Sequence, residues 1–439
     1  MADSRYAALI VLEKCRRVGA WSDAVLGNVM DAEGLDGRDR ALAVRLCYGV
    51  LQDRMLLDHV IGQCSSLPIK KIEPKVLDIL RLSTYQLLRM DRIPPAAAVD
   101  SAVSLSRRLG YARASGFVNA VLRRISEGAY SVPDGDSPMD ISIRYSHPLW
   151  LTERLIDLFG REETETFFRC NNEAVPVTVQ TNTLKTDTKT LLSALKAQGI
   201  DAKTHPFVPD CILLQTASVQ TIPEFRRGEF YVQDAAAKLA ILAAGPQRGM
   251  RILDACAAPG GKSFAAAIAS GGAEITACDL HEKKLQRIRE GVKRLGLHGI
   301  GTLSMDARTP CPEFAERFDL VIADVPCSGL GVIRKKPDIR YKDPAALAAL
   351  PQVQLAILRN VSSYVKPGGT LLYSTCTILP EENDEICTAF LKDHPQFAVE
   401  DFTLPDGSGS SGGMLQLWPQ RHGTDGFFIA KMKKWTELT

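Results

Sequence analysis

From Gly249 onward the chain alternates short apolar runs with helix-length segments, and that alternation restricts its fold more than any other feature. Arg251 to Ala255, Ala273 to Cys278, Phe318 to Ala323 and Thr370 to Ser374 read as strands. Such alternation predicts a doubly wound α/β sheet, a Rossmann-like arrangement of parallel strands with helices between them. Ligands of these sheets bind beyond the carboxyl ends of the strands, so the residues at the strand exits are the first candidates for a site.

The chain has 439 residues, too many for one ordinary core, and two or three domains are expected. Residues 5 to 125 carry apolar residues at helical spacing, as at Val76, Leu77, Leu80, Leu87 and Leu88, and predict a helical bundle. Pro94-Pro95 ends one helix and starts the next. Gly128 to His147 is rich in turn formers and reads as a linker. From about 150 to 245, short helices (Leu151 to Phe159, Thr188 to Gln198) mix with strand-like Val175 to Asn182 and Ile212-Leu213-Leu214, a small α+β pattern. The expected division is therefore 1–130 helical, 148–245 α+β and 246–439 Rossmann-like. Asp406 to Gly413 reads as a flexible loop before a last strand, Phe427 to Met432.

With 45% hydrophobic and 24% charged residues the composition is that of a globular protein. No run is apolar enough to span a bilayer, and the charged start Met1-Ala2-Asp3-Ser4-Arg5 leads into no signal-like core. A cytoplasmic location without membrane contact is expected. The 11 cysteines show no C-x-x-C and no histidine pair at zinc spacing, so no metal is expected and most thiols should be reduced and buried. Residues 1 to 130 hold 19 Lys+Arg against 14 Asp+Glu, and the remainder is net acidic. A basic N-terminal third, with Arg16-Arg17, Arg107-Arg108 and Arg123-Arg124, suits a polyanionic partner such as nucleic acid.

The first strand exits into Asp254-Ala-Cys256-Ala257-Ala258-Pro259-Gly260-Gly261-Lys262. Gly261-Lys262-Ser263 could be the tail of a Walker A motif, but that motif requires glycine where Cys256 stands. A G-x-G-x-x-G fingerprint is also missing, which leaves a ligand with ribose and adenine and no phosphates. Asp279, ending the second strand, is placed for the ribose hydroxyls, and Asp306, after the third, for the adenine amino group. S-adenosyl-L-methionine fits this set, although each aspartate alone could be a helix cap.

The fourth strand exits into Asp324-Val-Pro-Cys327-Ser-Gly329 and the fifth into Ser374-Thr-Cys376. Two cysteines at neighbouring strand ends suit one specific chemistry. Cytosine C5 becomes nucleophilic only after a thiolate adds at C6, and the product must later be released. Lys262 could supply the positive charge that favours thiolate, and Asp324 could hold the N3 and N4 edge of the base.

The segments Asp254 to Lys262, Asp324 to Gly329, Arg334-Lys-Lys-Pro-Asp338, Ser374-Thr-Cys376 and Asp425-Gly-Phe-Phe428 together resemble the motifs of the bacterial Sun/RsmB group of 16S rRNA cytosine-C5 methyltransferases. Phe117 to Leu122 and Leu80 to Leu88 are similar to that group's NusB-like RNA-binding domain. The resemblance implies that Cys376 is the nucleophile, that Cys327 assists product release, and that residues 256 to 262, Asp279, Asp306 and Asp324 line the cofactor pocket. It also implies 16S ribosomal RNA as partner. Val325 stands where the group more usually has alanine, and Gln180 where it often has arginine, which removes one possible RNA contact. Arg334-Lys335-Lys336 could grip phosphates beside a flipped cytosine. A monomer is expected. Transfer-RNA methylation by the same mechanism, and a non-catalytic RNA-binding assembly or antitermination factor, remain as alternative readings.

Overall fold

The computed structural model describes residues 3–18, 22–216, 218–410 and 412–436. Met1 and Ala2 of the charged start, the Arg17 side chain and Ser411 of the Gly/Ser segment lie outside the described residues. The chain forms two compact units, residues 1–173 with 333–342, and residues 174–332 with 343–439.

The first unit is all helical. Its axis is the 28-residue helix Gly37–Cys64, which buries Leu46, Leu57, Val60 and Ile61 completely. Pro74–Arg89 packs against it through Ile79, Leu80 and Leu82. A Cβ on Gly49 would stand 2.0 Å from the Tyr85 ring, so only glycine lets these helices approach so closely. The interval 128–147, expected as a linker, contains the helix Pro138–Tyr145. Ser137 caps it by accepting from the Asp140 N–H, Pro138 occupies its first turn, and Ile141 is buried against the bundle. Helices Leu149–Phe159 and Arg161–Asn171 belong to the same unit.

Several arginines of the basic third serve the bundle itself. Arg16 and Arg81 both pair with buried Asp78, Arg108 pairs with Asp3, and Arg124 donates to the Cys64 carbonyl. The segment Ile333–Lys342 also folds with the helices. Arg334 bonds the Cys170 thiol. Arg340, fully buried, donates to the carbonyls of Gln52 and Ser146 and to Asn172 Oδ1. The expected phosphate-gripping run thus begins a buried strap.

The second unit holds two sheets. Strands β1 (Val177–Thr181), β2 (Asp201–Thr204), β3 (Cys211–Gln215) and β4 (Phe230–Val232) form an antiparallel sheet in the order β2-β3-β1-β4. The larger sheet comprises β5 (Arg251–Asp254), β6 (Glu274–Asp279), β7 (Ile300–Ser304), β8 (Phe318–Asp324), β9 (Val365–Thr375), β10 (Phe397–Val399), β11 (Met414–Leu417) and β12 (Phe427–Lys434). Its order is β10-β12-β9-β8-β5-β6-β7, with β11 beside β12. Strands β5 to β9 pair in parallel and β12 returns antiparallel to β9. The predicted doubly wound sheet is present. Strand order reverses at β5, with β6 on one side and β8 on the other, and such a switch point opens a crevice beyond the strand ends.

A buried amide ties the small sheet to the end of the helix Glu282–Leu295. Asn182 Nδ2 donates to the carbonyls of Gly228 and Leu295, each at 2.9 Å. A Cβ on Gly228 would lie 2.0 Å from the Arg294 carbonyl oxygen, and its φ of +75° independently demands glycine. Gln180, which stands where the resembled group often has arginine, is fully buried and donates to the Gln233 carbonyl at 3.1 Å.

Candidate active site

Asp254, Asp279 and Asp324 close three neighbouring strands, so three carboxylates stand along the carboxyl edge of the sheet. Asp254 is fully buried, and its Oδ2 accepts from Ser263 Oγ at 2.6 Å. Its Oδ1 has no partner among the described residues. Burial pushes this carboxyl up to about 7, with Asp324 and Asp279 adding to the rise and the Ser263 bond and Lys262 opposing it.

Gly260 turns the loop into helix Gly261–Ser270 with φ +110°, a conformation that suits glycine, and a Cβ there would meet the Phe264 ring at 2.6 Å. The next turn presents Lys262. Its Nζ lies 2.6 Å from Asp324 Oδ2 and 5.0 Å from the Phe427 ring centroid. Ser374 Oγ donates to the other Asp324 oxygen at 2.8 Å, because Asp324 and Ser374 are register partners in the β8–β9 ladder. Both carboxylate oxygens are thereby oriented.

That same register explains the cysteines. Cys327 follows Asp324 by three residues and Cys376 follows Ser374 by two, so both thiols emerge over the same pair of strands. Their sulfurs are 3.3 Å apart. The bond from Cys327 holds the Cys376 thiol below the usual cysteine range, aided by Lys262 and opposed by burial, Asp324 and Asp425. Cys327 is correspondingly pushed well up, first by the same bond and then by burial. Of the two thiols, Cys376 is therefore the one whose ionisation its surroundings favour.

A cavity of about 180 Å³ opens at the exits of β5 and β8; Cys327, Cys376 and Gly260 are not in its lining. Of the expected pocket residues, Ala257, Ala258, Pro259, Gly261, Lys262 and Asp324 line it. Cys256 does not; burial pushes its thiol far up, and the side chain packs against the apolar core beneath the sheet. Asp279 lies further along the edge, accepting from the His281 N–H at 3.0 Å, with Lys284 Nζ at 3.6 Å. Asp306 is clasped by Arg308, whose side-chain and backbone bonds hold its carboxyl down to about 2. These two aspartates are outside the cavity lining.

The sequence reading missed Gln233 and Asp254, which also line the cavity. Gln233 is 7% exposed, and neither Nε2 nor Oε1 has a hydrogen-bond partner among the described residues. A buried carboxamide without partners is costly unless a ligand completes it. The signal for Asp254 was its place at a strand exit; Gln233 is separated from the motif by a whole helix, Ala235–Ala244, and had none.

Three family models match the chain: the NusB family over residues 2–127, an RsmF/B-like ferredoxin-like domain over 147–220, and the 16S rRNA methyltransferase RsmB/F over 241–433. A probable ribosomal RNA small subunit methyltransferase B from Bacillus subtilis is 38% identical, covering 98% of each chain. A protein of the same name from Synechocystis is 34% identical, covering 99% of this chain and all of its own. Among solved structures, PH0851 superimposes with a TM-score of 0.82 at 27% identity, covering 98% of this chain and 97% of its own. A methyltransferase homolog protein from Pyrococcus horikoshii gives 0.59 at 27% identity, covering 68% and 99%. With near full-length identity of this order to two curated relatives, the expected doubly wound sheet and two thiols at neighbouring strand exits, the chain belongs to the RsmB/F family of 16S rRNA methyltransferases.

Proposed function

We propose that this protein transfers a methyl group from S-adenosyl-L-methionine to C5 of a cytosine in 16S ribosomal RNA, through a covalent bond between Cys376 and C6 of the base. One observation carries this reading: two thiols 3.3 Å apart at neighbouring strand exits, with Lys262 among the charged groups that act on Cys376. A purely RNA-binding module has no use for such a pair. The names of the curated relatives support small-subunit ribosomal RNA as substrate. The division into 1–130, 148–245 and 246–439 assigns RNA binding to the first two parts and chemistry to the third.

The crevice fits the methyl donor. Asp254 Oδ1 and the Gln233 carboxamide are buried polar groups that lack partners, and an amino-acid end with an ammonium and a carboxylate would complete both. Asp279 and Asp306, along the same edge, are the candidates for the ribose and adenine. When bound, the cofactor supplies an electrophilic methyl group.

Cys376 adds to C6 as the thiolate and converts the ring into an enamine whose C5 takes up the methyl group. Asp324, fixed by Lys262 and Ser374, accepts from the N4 amino group and orients the ring. Water takes the C5 proton, the C5–H electrons restore the C5=C6 double bond, and the C6–S bond breaks with its electrons returning to sulfur as the thiolate. Cys327 assists by donating its S–H to the leaving sulfur of Cys376.

The test is transfer of tritiated methyl from the donor to unmodified 16S RNA and, separately, to transfer RNA, followed by nucleoside analysis. Label in 5-methylcytosine of 16S RNA is expected. Label confined to transfer RNA would overturn the substrate, label at another base position the chemistry, and binding of RNA without any label the enzymatic reading.

A further inference from the structure

Cys327 and Cys376 sit on loops that leave different strands, so a sulfur separation of 3.3 Å must be maintained by contacts between those loops. The residue after each cysteine supplies one. Ser328 and Thr377 are fully buried, and their hydroxyls lie 2.6 Å apart. Beneath them Glu382, 2% exposed, accepts from the Ser328 N–H at 2.8 Å and from Gln354 Nε2 at 2.8 Å through a single oxygen, Oε2. Gln354 Nε2 also donates to the Pro326 carbonyl at 3.0 Å, and the Tyr373 hydroxyl donates to the Glu382 carbonyl at 2.6 Å. The clasp therefore joins both cysteine loops, the 3-10 turn Pro380–Glu382 and the helix Leu350–Ser362.

We propose that Ser328, Thr377 and Glu382 are positioning residues that hold the two thiols within bonding distance and so set the reactivity of Cys376. The inference rests on the reading of Cys376 as nucleophile and Cys327 as its partner. Its physical basis is the steep loss of a hydrogen bond as its partners separate or misalign. Buried hydroxyls have no water to replace a lost partner, so deleting either one frees the loops to part. The charged groups facing Cys376 are Lys262, Asp324 and Asp425, and Glu382 faces Cys327. With the S–H bond gone, burial and two carboxylates oppose ionisation of Cys376 and Lys262 alone favours it.

Thr377→Val and Ser328→Ala delete the hydroxyls, and Thr377→Ser retains one. The readouts are the pH midpoint of Cys376 alkylation by iodoacetamide, followed by peptide mass mapping without RNA, together with kcat, KM and the melting temperature. Both deletions should move the alkylation midpoint to higher pH and lower kcat about ten- to a hundredfold, as expected for a small misplacement of reacting groups. KM for RNA and for the methyl donor should stay unchanged, the double variant should be no worse than either single one, and Thr377→Ser should restore both readouts. A wild-type midpoint and kcat in the deletions would overturn the proposal, as would a Thr377→Ser variant as impaired as Thr377→Val. Should Thr377→Val fail to fold, Ser328→Ala decides alone. Methylation surviving in Cys376→Ala would instead defeat the underlying reading, whatever the clasp variants show.

Discussion

Gly331 is where the two catalytic loops meet the turn before β12, and replacing it with alanine should damage rate and stability together. A Cβ at this position would lie 1.9 Å from the Gly426 carbonyl oxygen, 2.5 Å from its carbon and 2.9 Å from the Cys376 carbonyl oxygen. Ordinary contact begins near 3.4 Å, so the backbone must part by about 1.5 Å, and no rotamer can relieve a clash between main-chain atoms. Two hydrogen bonds oppose that parting: Gly331 N–H to the Cys376 carbonyl at 3.0 Å, and Gly426 N–H to the Gly331 carbonyl at 2.9 Å. Overpacking of this kind costs about 1–3 kcal/mol, and each kcal/mol lowers the melting temperature by about 2–4 °C in a chain of domain size. Displacing a reacting group by about 1 Å costs about a hundredfold in rate. Single-turnover methyl transfer and calorimetry on Gly331→Ala, with Gly301→Ala as a control where a Cβ meets nothing within 4 Å and the backbone is not left-handed, read both effects. A Gly331→Ala enzyme with wild-type kcat and melting temperature would refute the reasoning.

Asp254 makes stability depend on pH. Its native carboxyl titrates near 7 and an unfolded aspartate near about 3.9, so the folded state binds more protons between these values and wild-type stability falls as pH rises across that window. Asp254→Asn should flatten this slope, the two proteins differing by about 2–4 kcal/mol in their pH 4.5 to 8 change under urea titration; equal slopes would contradict it. Arg340→Met leaves the Gln52 and Ser146 carbonyls and Asn172 Oδ1 without their donor, and should cost at least about 1–3 kcal/mol, the penalty of one orphaned buried acceptor, in urea unfolding. An unchanged midpoint would show that the strap is held by its apolar residues instead. Gly49→Ala should lower the melting temperature through about 1–3 kcal/mol of overpacking against Tyr85, and an unaffected melt would mean that the ring swings clear at no cost.

The parts of the site that depend on strand ends were readable from the chain, because an apolar run followed by Asp254 to Lys262 or Asp324 to Cys327 fixes where those side chains emerge. The neighbourhood of Cys327 and Cys376 followed from two strands pairing in parallel, and their register supports it. What required the fold was everything that depends on contacts distant in sequence. Gln233 reaches the cavity because β4 hands the chain to a helix over the sheet, and Glu382 reaches Ser328 across 54 residues. The helix Pro138–Tyr145 was hidden by the turn formers around it, although Ser137, Pro138 and Asp140 spell a capped helix start. Arg334 to Lys336 read as a run that could grip phosphates, and the buried Arg340 that anchors the strap, four residues further on, gave no signal of its own.

The central claim, two thiols with divided roles, is tested most directly by trapping. Incubating Cys327→Ala with S-adenosyl-L-methionine and labelled 16S RNA, then running a denaturing gel, should give a protein–RNA band that neither wild type nor the Cys327→Ala/Cys376→Ala double variant shows. Absence of the band from Cys327→Ala, or its persistence when Cys376 is also removed, would contradict the assignment.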